Sequence, residues 1–484
     1  MSASEVAPAR SERSLPTPTP RDAAALAAAR EALEIAFGPV QERGFAVRLW
    51  DDSVDQPASG SIPFTLVVRR AGALRRALLP PSELALVEAY LRDDFDAEGD
   101  LGEAGRLGDL AATRLRSPRA LVKLARVLRR LPTDDLPRAF ADADEAASPR
   151  RVRRLFGLGQ HSRQRDAIAV RHHYDVGNDF YVLWLDRRMI YSCAYFPTGA
   201  EDLDAAQEAK LEHICRKLRL RAGERLLDVG CGWGGLLEYA ATRFGVSGVG
   251  ITLSEPQATL ARERLAAAGV GDRVRIEVRD YRDLPADWAE QFDKVVSVGM
   301  REHVGAARLP DYFAAVHRVL RPGGLFLDHG LMRGGAEPRT GVGRWIARRL
   351  WKRDAFIERY VFPDGELVPL GTLLGMAEPT GLEARDVENL REHYILTLRH
   401  WVERLSRVHR EAAAIVGEQT YRVWRLYMAA TTLGFQSGRL TLIQTLFAKP
   451  LPSGAADVPL SRADLYRAPT PRQGRENDVE ARSL

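Results

Sequence analysis

From Arg171 onward, short apolar runs alternate with longer segments in which apolar residues recur every three or four positions. That rhythm predicts strands and helices taking turns in a parallel sheet. Strands are expected at Arg225–Gly230, Val246–Thr252, Val274–Asp280, Phe292–Gly299 and Leu325–Gly330, with helices between them. Arg321-Pro322-Gly323-Gly324 supplies the turn into the fifth strand. A helical block follows, and Leu440–Lys449 could close the sheet. Residues 21–125 read instead as a small α+β domain, with strand-like pieces at Phe45–Trp50 and Ile62–Arg69. Within it, Ser82–Asp100 looks like an amphipathic helix ending in an acidic turn. Residues 126–170, charge-rich and broken by Pro132, Pro137 and Pro149, form a linker region with helical pieces. Residues 1–20 and 451–484 read as a disordered leader and tail. The expected fold is α/β: a Rossmann-like, mostly parallel sheet over 171–450 with inserted helices, preceded by the smaller domain.

Composition narrows this picture. With 484 residues, 45% of them hydrophobic, the chain can bury a large core in more than one domain. Cys193, Cys215 and Cys231 show neither a CxxC pair nor metal-ligand spacing, so neither a disulfide framework nor a metal site is expected. No apolar signal core is read near the N-terminus, and no run approaches the roughly 18 apolar residues that span a bilayer. A soluble, cytoplasmic protein is therefore expected. A net charge of +5 suits an anionic partner, and nucleic acid and an anionic membrane surface both qualify on charge alone. No aromatic-basic platform for nucleic acid is apparent, which argues against the first.

Chemistry enters at Leu226–Gly235, LLDVGCGWGG. An apolar run ends in Asp228, and Gly230, Gly232 and Gly234 then alternate with Cys231 and Trp233. Glycines so spaced permit a tight strand-to-helix turn whose backbone can touch a nucleotide-like ligand. The spacing is not GxGxxG, and the ribose-binding acid of a dinucleotide site is missing, because the next strand ends Gly250-Ile251-Thr252-Leu253. Taken alone, the loop could be an ordinary tight turn.

The flanking segments are more specific. Upstream stand His173-Tyr174-Asp175-Val176-Gly177-Asn178-Asp179-Phe180 and Tyr191-Ser192-Cys193-Ala194-Tyr195-Phe196. Downstream stand Ser297–Gly305, containing Glu302-His303-Val304-Gly305, and Phe326-Leu327-Asp328-His329. Together with the glycine loop, these resemble the cyclopropane-fatty-acyl-phospholipid synthases and their mycolic acid cyclopropane synthase relatives, which are class I S-adenosylmethionine-dependent methyltransferases. The resemblance runs from about Arg171 to Pro450, and on weaker grounds the N-terminal domain looks like the accessory domain of longer members.

The resemblance implies methylene transfer from S-adenosylmethionine to the cis double bond of a phospholipid acyl chain, through a carbocation deprotonated by bound bicarbonate. Glu302, His329 and Tyr394, with backbone from Cys193 and Leu331, match the bicarbonate-holding positions. Cofactor contacts map to Tyr191, Ser192, Asp228, Gly230, Gly232, Gly234, Thr252, Ser254, Gln257, Tyr281 and Arg282. Read from the residues themselves, Glu302 past the fourth strand and His329 at the end of the fifth can both point into a strand-end crevice. Either could instead be structural: an acid at a helix N-terminus, or a core histidine. An alkene needs no deprotonation to attack, so the demands are a dry, aromatic-walled pocket and one base. Cys193 has no basic neighbour in sequence and is read as a backbone contributor.

The chain departs from the family at three positions around the base. Arg301 and Asp328 stand where apolar residues are common, and Gly330 replaces a usual Thr. Thr431 also replaces a Cys often seen in the C-terminal helices. Opposite charges at neighbouring strand ends predict an ion pair, because breaking a buried pair costs about 3–5 kcal/mol. These changes leave a methyl- or methylene-branched product open beside the cyclopropane. A lipid-binding protein without turnover is a further alternative. Two basic stretches, Arg114–Arg130 and a helix from Arg344 to Arg359, suit contact with an anionic bilayer at the inner membrane face. The chain is thus expected to sit peripherally on phospholipid membranes, and a homo-oligomer is possible.

Overall fold

The computed structural model describes residues 20–79, 83–133, 176–335, 366–456 and 458–466. They fall into two compact units. His173, Tyr174 and Asp175 of the upstream motif and the basic helix expected from Arg344 to Arg359 lie outside the described residues.

In the N-terminal unit, β1 (Ala46–Arg48), β2 (Val54–Asp55), β3 (Phe64–Val68) and β4 (Phe95–Gly99) form a sheet in the order β2-β1-β3-β4. β1 and β3 are parallel, whereas β2 and β4 pair antiparallel to their neighbours. β4 corrects the expected acidic turn. Its Phe-Asp-Ala-Glu-Gly is polar at alternate positions because it is an edge strand, which buries little beyond Ala97. Helix Pro20–Phe37 presents Ala28, Ala29, Ala32, Leu33 and Ala36, all fully buried. Helix Pro118–Leu128 buries Leu124, Val127 and Leu128, and it crosses the boundary expected at 125. It starts cleanly: the Ser117 hydroxyl accepts from the Ala120 N–H at 3.1 Å, and Pro118 occupies the first turn.

The larger unit holds a seven-stranded sheet. Its strands are β5 (Arg225–Val229), β6 (Ser247–Thr252), β7 (Val274–Val278), β8 (Phe292–Val298), β9 (Leu320–Arg333), β10 (Glu383–Asn389) and β11 (Leu440–Ala448), in the order β10-β11-β9-β8-β5-β6-β7. Pairing is parallel from β7 across to β9, and antiparallel for β9–β11 and β11–β10. Successive residues of β5 feed opposite faces: Leu226 packs with Leu237, Val296 and Leu327, while Leu227 and Val229 pack with Val295, Phe326 and Phe447. Strand order reverses at β5, so a ligand crevice opens beyond the ends of β5 and its neighbours.

Two local differences from expectation have simple causes. The Arg321–Gly324 turn is absorbed into β9 as a register shift against β8, with Gly323 at φ +77°. β10, Glu-Ala-Arg-Asp-Val-Glu-Asn, was expected within a helical block, but it is a polar edge strand whose one strand partner among the described residues is β11. Up to residue 466 the chain goes on packing where a disordered tail was expected from 451, and residues 467–484 lie outside the described residues. Leu465 is buried, and Asp464 pairs with Arg219 at 2.9 Å.

Candidate active site

The loop after β5 shapes one wall of a cavity at the strand ends. Gly230 has φ +86°, and a β-carbon there would stand 2.9 Å from Met300 Cβ, so only glycine fits. At Gly232, φ +54°, nothing lies within 4 Å of that position. Tyr191, Ser192, Asp228, Gly230, Gly232, Thr252, Gln257, Tyr281 and Arg282 all line this cavity. Gly234 and Ser254 do not. Gly234 lets helix Gly235–Phe244 pass close to Ala261, where a β-carbon would come within 3.2 Å. Ser254 caps helix Glu255–Ala267, its hydroxyl accepting from the Gln257 N–H, and Thr252 donates its hydroxyl to Gln257 Oε1 at 2.9 Å. Ser254 thus serves the cavity by fixing Gln257. Trp233 donates Nε1–H to Asn178 Oδ1 at 2.8 Å, tying the upstream segment to the glycine loop.

Two charged groups are buried at the cavity floor. Burial pushes the Asp228 carboxyl up to about 7, against the pull of Lys210. Burial also lowers Lys210 to about 8, although Asp186, Cys193 and Asp228 resist. Lys210 Nζ donates to Ser192 Oγ at 2.8 Å. Lys210 lines the cavity but was not singled out in the sequence, where it reads as one more helical lysine.

The expected base-holding residues form a second cluster. Met300 and His303, which bracket Arg301 and Glu302, line the cavity, so the two sites adjoin. Glu302 sits in a single helical turn, Arg301–His303, just past β8, and its Oε1 accepts from the Leu331 N–H at 2.6 Å. Burial raises its carboxyl above the ordinary value, opposed by Arg301 and by the Leu331 N–H. His329 pairs in register with Val298 on β8 and Gln444 on β11. Burial, reinforced by Lys210 and Lys217, drives its ring well below the usual range and keeps it neutral. The Gln444 amide lies 3.0 Å from His329 Nδ1. If that amide donates, the ring proton sits on Nε2. Glu302 Oε2 and His329 Nε2 are both buried without a hydrogen-bond partner among the described residues.

Cys193 is fully buried, and burial pushes its thiol far up, so it is no thiolate. Its Sγ lies 3.9 Å from the Leu390 carbonyl, and the next N–H, of Ala194, donates to Thr397 Oγ1 at 3.0 Å. Leu390 and Thr397 bracket Tyr394, which is buried on helix Arg391–Arg407. A run of rings joins the two sites. Tyr191 contacts Trp401 at 5.1 Å and Trp424 at 5.8 Å between centroids, and Tyr394 contacts Trp401 at 6.0 Å and Phe435 at 4.9 Å. Tyr427 extends the run, its ring 6.2 Å from that of Trp424 between centroids. Trp401, Trp424, Tyr427, Phe435 and Gln444 were not foreseen. Their spacing marks helices and a strand, but not which face meets the site.

Arg301 and Asp328 do pair. Arg301 Nε donates to Asp328 Oδ2 at 2.8 Å, with both side chains buried.

A family model described as mycolic acid cyclopropane synthetase matches residues 161–445. A probable fatty acid methyltransferase of Pseudomonas putida is 42% identical over 421 residues, covering 87% of this chain and 96% of the relative. The cyclopropane-fatty-acyl-phospholipid synthase of Escherichia coli (strain K12) is 38% identical over 330 residues, covering 68% and 79%. A mycolic acid cyclopropane synthase solved in complex with SAH and CTAB superposes with a TM-score of 0.53 at 31% identity, covering 58% of this chain and 97% of its own.

Proposed function

The chain belongs to the mycolic acid cyclopropane synthetase family of S-adenosylmethionine-dependent methyltransferases, and from that premise we propose that it closes cyclopropane rings on unsaturated phospholipid acyl chains. The observation that carries this reading is the pair of buried atoms, Glu302 Oε2 and His329 Nε2, that have no hydrogen-bond partner among the described residues and adjoin the cavity. A dry site does not leave two such atoms unmatched without cost. Bicarbonate suits them, because its hydroxyl can donate to the carboxylate while its oxygens accept from an N–H. Glu302, His329 and Tyr394 would hold it, with backbone from Cys193 and Leu331. Bound there, it supplies the base that takes the proton lost on ring closure.

The other requirements fall on the chain itself. The cavity along Gly230–Gly232, with Gln257 and Tyr281 on its walls, suits the cofactor. Bound there, S-adenosylmethionine would supply an electrophilic methyl to the alkene, its carbon–sulfur bond breaking as the first C–C bond forms and the positive charge passing to the acyl chain. Closure then forms the second C–C bond as one methyl C–H bond breaks. The rings around Tyr191, Trp401 and Trp424 exclude water that would quench the cation, and their faces stabilise positive charge. His329, held neutral, adds no opposing charge.

We assign residues 21–125 to an accessory domain associated with the lipid substrate, and place the protein at the cytoplasmic face of the membrane. Among the described residues no helix is long and apolar enough to cross it. A methyl- or methylene-branched product is the second reading, favoured by the charged Arg301–Asp328 pair beside the base site. Fatty acids from a heterologous host expressing the gene, analysed by gas chromatography–mass spectrometry, separate the two. A ring-containing acyl chain one methylene heavier than its parent is expected. An exocyclic methylene would establish the second reading, and an unchanged profile would defeat both.

A further inference from the structure

Arg301, Asp328 and Gly330, three separate departures in sequence, behave as one object in space. Arg301 and Asp328 are 3% and 0% exposed. The guanidinium reaches Asp328 through Nε at 2.8 Å and the Leu331 carbonyl through Nη1 at 3.3 Å. Between those contacts it lies over Gly330, where a β-carbon would stand 2.5 Å from Nη2 and 3.0 Å from Cζ. The guanidinium occupies the volume that a side chain at 330 would need. Glycine is therefore the residue that admits Arg301.

Leu331 links this cluster to the chemistry. Its carbonyl accepts from Arg301 and its N–H donates to Glu302 Oε1. Both polar backbone groups of one residue are thus used, one by the ion pair and one by the carboxylate that faces the base site. Asp328 has a second effect. Arg301 lies within Coulombic reach of Asp328 and of Glu302. Asp328 holds the guanidinium by a direct hydrogen bond, and from there Arg301 partly offsets the burial that raises the Glu302 carboxyl.

We propose that Arg301, Asp328 and Gly330 form a buried strap that positions Glu302 through Leu331, so that turnover in this chain depends on an ion pair behind its base site. Arg301 and Asp328 are positioning residues. The proposal rests on the reading of Glu302 as a base-holding group.

The test compares Arg301→Met, Arg301→Lys, Asp328→Leu, Gly330→Thr, the double Arg301→Met/Asp328→Leu, and that double combined with Gly330→Thr. All are assayed where circular dichroism shows them folded. Two readouts are taken. One is kcat and cofactor KM for label transfer from S-adenosylmethionine to unsaturated phospholipid vesicles. The other is infrared titration of the Glu302 carboxyl, identified by its loss in Glu302→Gln, which needs no substrate. Asp328→Leu should lower kcat at least tenfold with cofactor KM unchanged, and should move the Glu302 carboxyl down as the freed guanidinium turns to it. Arg301→Lys keeps a charge opposite Asp328 but lacks the fork that spans to Leu331, so melting should be kept while kcat falls. Gly330→Thr should impair the wild type yet be tolerated once Arg301 is Met. Wild-type kcat in Asp328→Leu and Arg301→Lys, or an unmoved Glu302 carboxyl in Asp328→Leu, overturns the strap. Absence of label transfer by the wild type overturns the functional reading instead, and the infrared titration still decides the strap.

Discussion

Gly232 stands in the left-handed region with free space where its β-carbon would be, on the wall of the cavity proposed to take the cofactor. A valine there costs backbone strain and fills ligand volume without striking the protein. Gly232→Val should therefore retain a folded circular-dichroism spectrum while S-adenosylhomocysteine binding, read by calorimetry, disappears. Retained affinity would put the cofactor elsewhere. Glu302→Gln and His329→Ala act on the other cluster. They should leave that affinity in place and lower kcat by about 10²–10⁴, the range attributed to a positioned acid–base group. A variant with wild-type kcat on phospholipid vesicles would remove its residue from the base-holding set. At this scale the sequence was readable where chemistry and position coincide: Glu302 and His329 at neighbouring strand ends, and opposite charges at 301 and 328. Lys210 and Gln444 escaped, because each reaches the site from a segment remote in sequence and looks there like a surface residue of its element. Gly234 and Ser254 belong to the motif by spacing, yet they serve helix packing and capping.

Edge elements depend on side chains that inner strands do not need. Among the described residues β10 pairs only with β11, and its Glu388 is held from helix Leu203–Lys217, by His213 Nε2 at 2.7 Å and by Lys217. Burial pushes this carboxyl up, but the two partners outweigh it and hold it down at about 2. A carboxyl depressed on folding stabilises above its unfolded value near 4.5, and that contribution is lost as pH falls toward 2. After discounting for screening at a partly exposed group, it amounts to about 1–2 kcal/mol. Glu388→Gln should thus be less stable than wild type by that amount in urea unfolding at pH 7, with the difference closing by about pH 2. A constant gap across that range would assign the loss to packing. The same edge character explains what was legible among the elements. β5, β6, β8, β9 and β11 are apolar on both faces and stand out as runs. β4 and β10 expose one face and carry acids, so their composition imitates turn or helix.

Over the whole chain, positive charge is unevenly used. Most arginines of the described residues are matched by a nearby acid, yet along helix Pro118–Leu128 the exposed face carries Arg119, Lys123 and Arg126 around Val122, which is 59% exposed. Nearby Arg114 and Arg130 are paired with Glu42 and Glu31. An apolar residue ringed by cations suits the interface of an anionic bilayer, where the acyl substrate of the proposed reaction resides. Each basic residue near such a surface gains about 1 kcal/mol. Replacing Arg119, Lys123 and Arg126 together by Gln should weaken binding to phosphatidylglycerol-containing vesicles by up to about 3 kcal/mol, roughly a hundredfold. Binding to zwitterionic vesicles should change little, and added salt should narrow the difference between wild type and variant. Because the three side chains point to solvent, their loss should leave melting and S-adenosylhomocysteine affinity untouched. The cost should then appear as a raised KM for vesicle substrate with kcat preserved at saturation. Sedimentation with vesicles of the two compositions measures the first effect, and label transfer over a range of lipid concentration measures the second. Equal affinity of wild type and triple variant for anionic vesicles would free this helix from any membrane role.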